Sequence, residues 1–140
     1  MFAGPLLSRR NPDHCSVLRS ALLEIYGQSS PYVKYVLRKF QHARIYSYME
    51  EVVGISLWKI VRRDISKPAQ VEPYRKILVL KTKQFDLNLA YKMVEDICSQ
   101  TNEAVVVEPA TPDEERFYQY LGFLRVSCFP TVVMRLRLND

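Results

Sequence analysis

Two short apolar runs with a helical pattern between them constrain this chain more than any other feature. Ile77-Leu78-Val79-Leu80 and Ala104-Val105-Val106-Val107 are continuous apolar segments, of the kind that form strands buried on both faces. Between them Leu89, Ala90, Met93, Val94 and Ile97 recur at helical spacing, which predicts a helix from about Asp86 to Ser99 with those residues facing the core. Two strands joined through a helix lie parallel, with a right-handed crossover, in the middle of a sheet. The fold class that follows is α/β (α+β) with a mixed sheet.

The flanking segments complete the order. Phe2 to Ser8 is apolar but interrupted by Pro5, and reads as an edge strand because proline cannot donate to a ladder. Asn11-Pro12-Asp13 supplies an N-cap, a proline at the first helical position and an acid in the first turn. Val17, Leu18, Ala21, Leu22 and Ile25 follow at helical spacing, and Gly27 ends that helix. Ser30-Pro31 repeats the start signal ahead of Val33, Val36, Leu37 and Phe40. From Arg44 the period changes: Ile45 to Met49, a turn near Glu50-Glu51, and Val52 to Val61 predict an antiparallel hairpin. Asp64 to Gln70 is a polar connection.

Thr111-Pro112-Asp113-Glu114 starts a further helix that closes at Leu121-Gly122. Leu124 to Phe129 and Thr131 to Leu138 make a last pair of strands, the second alternating Val132, Met134, Leu136 and Leu138 with polar positions. The predicted order is β-α-α-β-β-β-α-β-α-β-β, about seven strands and four helices, in a single domain over residues 1–140.

Composition narrows the setting. The three cysteines, Cys15, Cys98 and Cys128, form no CxxC pair, which predicts reduced thiols in the cytoplasm and not a disulfide framework. Neither His14 nor His42 lies at metal-ligand spacing from a cysteine, which argues against zinc. The first ten residues place apolar side chains before arginines, the reverse of a secretory signal. No apolar run approaches the ~20 residues that cross a bilayer. The net charge of +5 favours anionic partners without choosing among CoA phosphates, nucleic acid and acidic protein.

Arg116-Phe117-Tyr118-Gln119-Tyr120-Leu121-Gly122-Phe123 resembles the FYxxxGF signature of the GNAT N-acetyltransferase superfamily, placed where that family ends its fourth helix. Val53-Gly54 and Val133-Met134-Arg135-Leu136 resemble two further strands of the family, and the resemblance spans nearly the whole chain. It implies the GNAT fold, binding of acetyl-CoA or another acyl-CoA, and N-acyl transfer to an amine on a small molecule or protein. It further implies that Leu78, Val79 and Leu80 hold the pantetheine arm through their backbone and that Tyr118 protonates the leaving thiolate. The packing reading of Tyr118 is a side chain on the buried face of an amphipathic helix.

One segment departs from the family. Where the family's phosphate-binding turn resembles Q/R-x-x-G-x-G/A, this chain has Gln84-Phe85-Asp86-Leu87-Asn88-Leu89, keeping the glutamine and replacing both glycines by leucine. Glycine lets backbone N–H groups approach a pyrophosphate at a helix N-terminus. The aligned cofactor residues are thus Lys83, Gln84, Leu87, Asn88 and Leu89, with Lys81 and Lys83 as compensating charge and Asp86 as an opposing one. CoA binding is expected to be weakened, relocated or lost.

Two functions follow: an acyl-CoA-dependent N-acyltransferase, or a catalytically silent GNAT-like module acting through protein contacts. The leucines in the turn, the basic surplus and exposed aromatics such as Trp58 motivate the second, although a tryptophan on a strand is more often core or half-core than an interface anchor. The short connection between the last two strands leaves an open acceptor groove or a surface for pairing into a homodimer. Nucleic-acid binding rests on charge and on Tyr46, Tyr48, Trp58 and Arg62-Arg63; a sheet face covered by helices would remove that platform.

Overall fold

The computed structural model describes residues 1–27, 31–62, 73–99, 102–128 and 131–136. Ser30, Arg63, the Asp64 to Gln70 connection, Phe129, Arg137 and Leu138 lie outside the described residues. The elements run β1 (Phe2–Ala3), β2 (Leu7–Ser8), α1 (Pro12–Tyr26), α2 (Pro31–Lys39), β3 (His42–Tyr48), β4 (Glu51–Val61) and β5 (Tyr74–Thr82). Then follow α3 (Leu87–Cys98), β6 (Ala104–Val107), α4 (Pro112–Tyr120), β7 (Phe123–Ser127) and β8 (Val133–Leu136). The strands form one mixed sheet in the order β1-β3-β4-β5-β6-β8-β7, with β2 also on β3.

The crossover read from the two apolar runs is present. β5 and β6 pair in parallel from Tyr74↔Ala104 to Ile77↔Val107, with α3 between them. β3 and β4 form the expected antiparallel hairpin, and β7 and β8 another. Leu89, Ala90, Met93, Val94 and Ile97 are all buried, as their spacing predicts.

The N-terminal segment differs from its prediction. A single edge strand over Phe2 to Ser8 becomes two two-residue strands, pairing Phe2↔Ser47 with Ala3↔Tyr46 and then Leu7↔Ala43 with Ser8↔His42. Gly4 and Pro5 break the run. Gly4 donates to the Ile45 carbonyl at 2.8 Å, and a Cβ there would lie 2.9 Å from that oxygen, so only glycine comes this close. The sheet therefore has eight strands.

Helix ends follow their caps. Asn11 Oδ1 accepts from the Asp13 and His14 N–H groups, and Gly27 closes α1 in the left-handed region at φ 81°. Thr111 Oγ1 accepts the Glu114 N–H at 3.2 Å, while Glu114 Oε2 accepts from Ala110 at 2.7 Å, a reciprocal arrangement like a capping box. Gly122, at φ 97°, turns the chain from α4 into β7.

Backbone proximity divides the chain into two compact units, Met1–Lys59 with Leu78–Met93, and Ile60–Ile77 with Val94–Asp140. In the first, Leu18, Ala21 and Leu22 of α1 and Val33 and Val36 of α2 share a core with Ala43, Ile55, Leu57 and Val79. Strand alternation turns Gly54, Ser56 and Trp58 to the opposite sheet face. In the second, Ile77, Val105, Val107, Tyr118, Leu121, Phe123 and Met134 are buried.

The β3–β4 turn falls at Met49-Glu50, one residue earlier than predicted, and Tyr48↔Glu51 closes it. Both turn residues are left-handed, Met49 at φ 51° and Glu50 at φ 65°. Two-residue hairpins favour this conformation because it matches strand twist, but glycine or asparagine normally supplies it. Glu50→Gly should raise Tm by about 3 °C, corresponding to roughly 1 kcal/mol of relieved backbone strain. Thermal unfolding followed by circular dichroism checks it; an unchanged or lower Tm would mean the turn is not strained.

Candidate functional site

The β5–α3 turn carries the residues that the sequence aligns with a phosphate-binding loop, and its chemistry starts on β4. Tyr46 pairs with Gly54 and Ser47 with Val52, leaving Val53 as an extra residue, a β-bulge. The Val53 carbonyl accepts the Lys83 N–H at 2.9 Å, and the Lys83 ammonium pairs with Glu51. Thr82 Oγ1 donates to the Gln84 carbonyl at 2.6 Å. The turn is thereby tied to β4 on one side and to itself on the other.

Asp86 starts α3. Its Oδ1 accepts the Leu89 N–H at 3.0 Å, and its carbonyl accepts the Ala90 N–H at 3.0 Å. Asp86 is therefore the N-cap, engaging one of the N–H groups that a helix start leaves without an intrahelical partner. The segment Lys83 to Leu89 contains no left-handed residue. Leucine at the two aligned glycine positions thus causes no backbone strain, since the turn follows a route that any residue adopts.

The two leucines differ in role. Leu89 is buried: its Cδ2 lies 3.1 Å from where a Cβ on Gly54 would sit, and Met93 Sδ lies 3.2 Å from the same point. Gly54 thus makes room for α3 to approach β4. Leu87 is half-buried, and Gln84, Phe85 and Asn88 are exposed, Phe85 by 75%.

On β5 itself, Val79 and Leu80 are core residues and the Leu78 carbonyl accepts the Tyr32 hydroxyl at 2.6 Å. Lys81 lies 5.7 Å over the Tyr26 ring. β6 ends at Val107, opposite Ile77, whereas β5 runs on to Thr82.

Tyr118 belongs to the second unit. It is 7% exposed and meets Phe117 and Phe123 edge-on, each at 5.4 Å between ring centroids. Two carboxylates near strand ends are ion-paired: Glu51 holds Lys83, and Glu108 pairs with Lys76 at 3.2 Å. Trp58, expected as an exposed aromatic, is 1% exposed, and Tyr46 is fully buried while Tyr48 is not. Tyr48 is the last residue of β3, beside the hairpin turn, and is exposed although its parity matches that of Tyr46. The stacking platform considered for nucleic acid is absent from these residues.

Sequence reading missed the capping role of Asp86, although aspartate three residues before a buried leucine at a helix start is its usual signal. It also missed Tyr32 on Leu78, a contact between residues 46 apart in the chain that no local pattern announces.

Elsewhere in the second unit, burial pushes the Cys98 thiol above its ordinary pKa, the nearby Arg75 guanidinium pulls it down and Glu95 pushes it up. Arg75 is itself buried, and its Nε and Nη1 have no hydrogen-bond partner.

The strand order defines the class: the chain has the fold of the GNAT N-acetyltransferases. An N-acetyltransferase from Staphylococcus aureus Mu50 superposes with a TM-score of 0.67 over 97% of each chain, at 9% identity. Aminoglycoside 6'-acetyltransferase type Ii matches with a TM-score of 0.62 over 100% of this chain and 99% of its own, at 17% identity. NAA60 of Arabidopsis thaliana, solved in complex with acetyl-CoA, matches at 0.59 over 98% of this chain and 99% of its own, at 14% identity. No protein-family model matches the sequence, and no curated protein matches it significantly. At these identities the likeness is one of fold. Among the described residues no helix is long and apolar enough to cross a membrane.

Two outcomes test this geometry. Gly54→Val overfills the space under Leu89 and Met93 and should cost about 1–3 kcal/mol in denaturant unfolding, whereas Gly54→Ala costs less because both neighbours are ends of flexible side chains. A thiol titration with Ellman's reagent should show exposed Cys128 reacting first and Cys98 later, with the fast phase lost in Cys128→Ser. The sign for stability follows from the raised Cys98 pKa. The unfolded chain releases its proton first, so stability falls as pH climbs past the ordinary thiol range.

Proposed function

We propose that this chain is a GNAT-fold binding module, one that works through protein contacts and does not grip acyl-CoA at the β5–α3 turn. The carrying observation is the Asp86 carboxylate on the Leu89 N–H. In a pyrophosphate site of this kind, orphan N–H groups and the helix dipole act on the ligand's negative charge. Here an anion built into the chain already occupies that role. A second anion about 4 Å away would be repelled by roughly 1 kcal/mol in water and about 4 kcal/mol near a protein surface.

Other groups assigned to the cofactor are likewise engaged within the chain. The Lys83 N–H is on Val53, its ammonium on Glu51, and the Leu78 carbonyl on Tyr32. The residues present do not fit a pyrophosphate.

A second reading keeps one specific support. β5 outruns β6 by the stretch Leu78 to Thr82, where a pantetheine arm would find strand backbone, and fold relatives include a protein solved with acetyl-CoA. On that reading Leu78, Val79 and Leu80 hold the arm, Lys83 to Leu89 the phosphates, and Tyr118 acts as the acid in acyl transfer to an amine.

Calorimetry with acetyl-CoA separates the two. The module reading expects no heat of binding at about 1 mM ligand, and binding gained in Asp86→Gly, which removes the competing carboxylate. Saturable binding by the unaltered chain at micromolar ligand, with turnover lost in Tyr118→Phe, would overturn it.

A further inference from the structure

We propose that the groove between α1 and α2 is a docking site for an acidic peptide segment bearing an apolar anchor residue. This deepens the module reading by naming the surface and the kind of partner. The groove has a volume of about 400 Å³ and is lined by Arg19 and Leu23 of α1 and by Val33, Lys34, Leu37 and Arg38 of α2.

Helical spacing sorts these six into two chemistries. Val33 and Leu37 are four apart and form an aliphatic row; Lys34 and Arg38 are four apart and form a cationic row beside it. Across the groove Arg19 and Leu23, also four apart, place one cation and one aliphatic side chain on a single row of α1. Val33 is buried and Leu23 and Leu37 are half-buried, so the floor is recessed, while Arg19, Lys34 and Arg38 are exposed at the rim. The salt bridges among the described residues engage Lys76, Lys83, Arg116 and Arg125, and none of the three rim cations.

Charge along the chain points the same way. The first 40 residues hold six Lys or Arg against two Asp or Glu, so four of the five net positive charges belong to the segment that ends with α2. A surface of this sign attracts anions at a distance, and a recessed apolar floor then rewards a side chain that fills it. An acidic segment with one or two aliphatic residues meets both demands. Nucleic acid meets only the first, because the aliphatic floor offers no plane on which a base stacks. At 1.5 Å per residue the nine-residue α2 is about 13 Å long, room for two to three turns of a bound helix or about four extended residues.

Fluorescence anisotropy with a labelled EELEEELEE peptide tests the site. Binding should weaken about tenfold or more when the leucines are replaced by serine, and by a similar factor in Arg19→Glu and in Lys34→Glu/Arg38→Glu. Arg10→Glu, an exposed charge reversal outside the groove, should change it by less than about threefold. No binding at about 1 mM peptide, equal loss in Arg10→Glu, or tighter binding of a uridine nonamer than of the peptide would each overturn the proposal. Such a failure is distinct from failure of the module reading, which is decided by acetyl-CoA and by Asp86.

Discussion

The meeting of β4 with the start of α3 governs what this fold can do. Gly54 has no side chain, and Leu89 and Met93 use that space to bring α3 down onto the strand. One residue earlier, the bulged Val53 turns its carbonyl to the Lys83 N–H, and Glu51 holds the Lys83 side chain. Three residues of β4, Glu51, Val53 and Gly54, thereby position both the end of β5 and the first turn of α3. With the helix held there, its free N–H groups need an acceptor, and Asp86 is placed to provide one.

That arrangement changes how the leucines in the turn should be understood. Glycines in a phosphate-binding turn permit left-handed backbone and close approach of a ligand. Here neither is needed, because the turn stays in ordinary backbone space and its acceptor is a side chain of the chain itself. Leu89 is a core residue, and the glycine on β4 leaves the space that it fills. Meanwhile four of the five net positive charges lie in the first 40 residues, in the same unit as the turn but on different elements.

Local signals carried most of the element assignments. Asn11, Gly27, Thr111 and Gly122 each stand where their caps and turns were read, because capping depends on residues within a few positions. The misreadings share a cause. Gly4-Pro5 splits the first strand through contact with Ile45, and the hairpin turn shifts by one residue to Met49 despite lacking glycine. Trp58 was read as exposed although it is buried, since strand alternation states which residues share a face and not which face is covered.

The sequence by itself determined the parallel crossover, because two apolar runs separated by a helical repeat have one right-handed way to share a sheet. It also determined that the turn lacks glycine and carries an acid. Only the tertiary structure decided what those facts mean. Asp86 caps α3, Tyr32 takes the Leu78 carbonyl, and Leu89 fills the space over Gly54. The last two join residues more than thirty positions apart, and hydrogen bonds and packing at that separation leave no periodicity in the chain to be read.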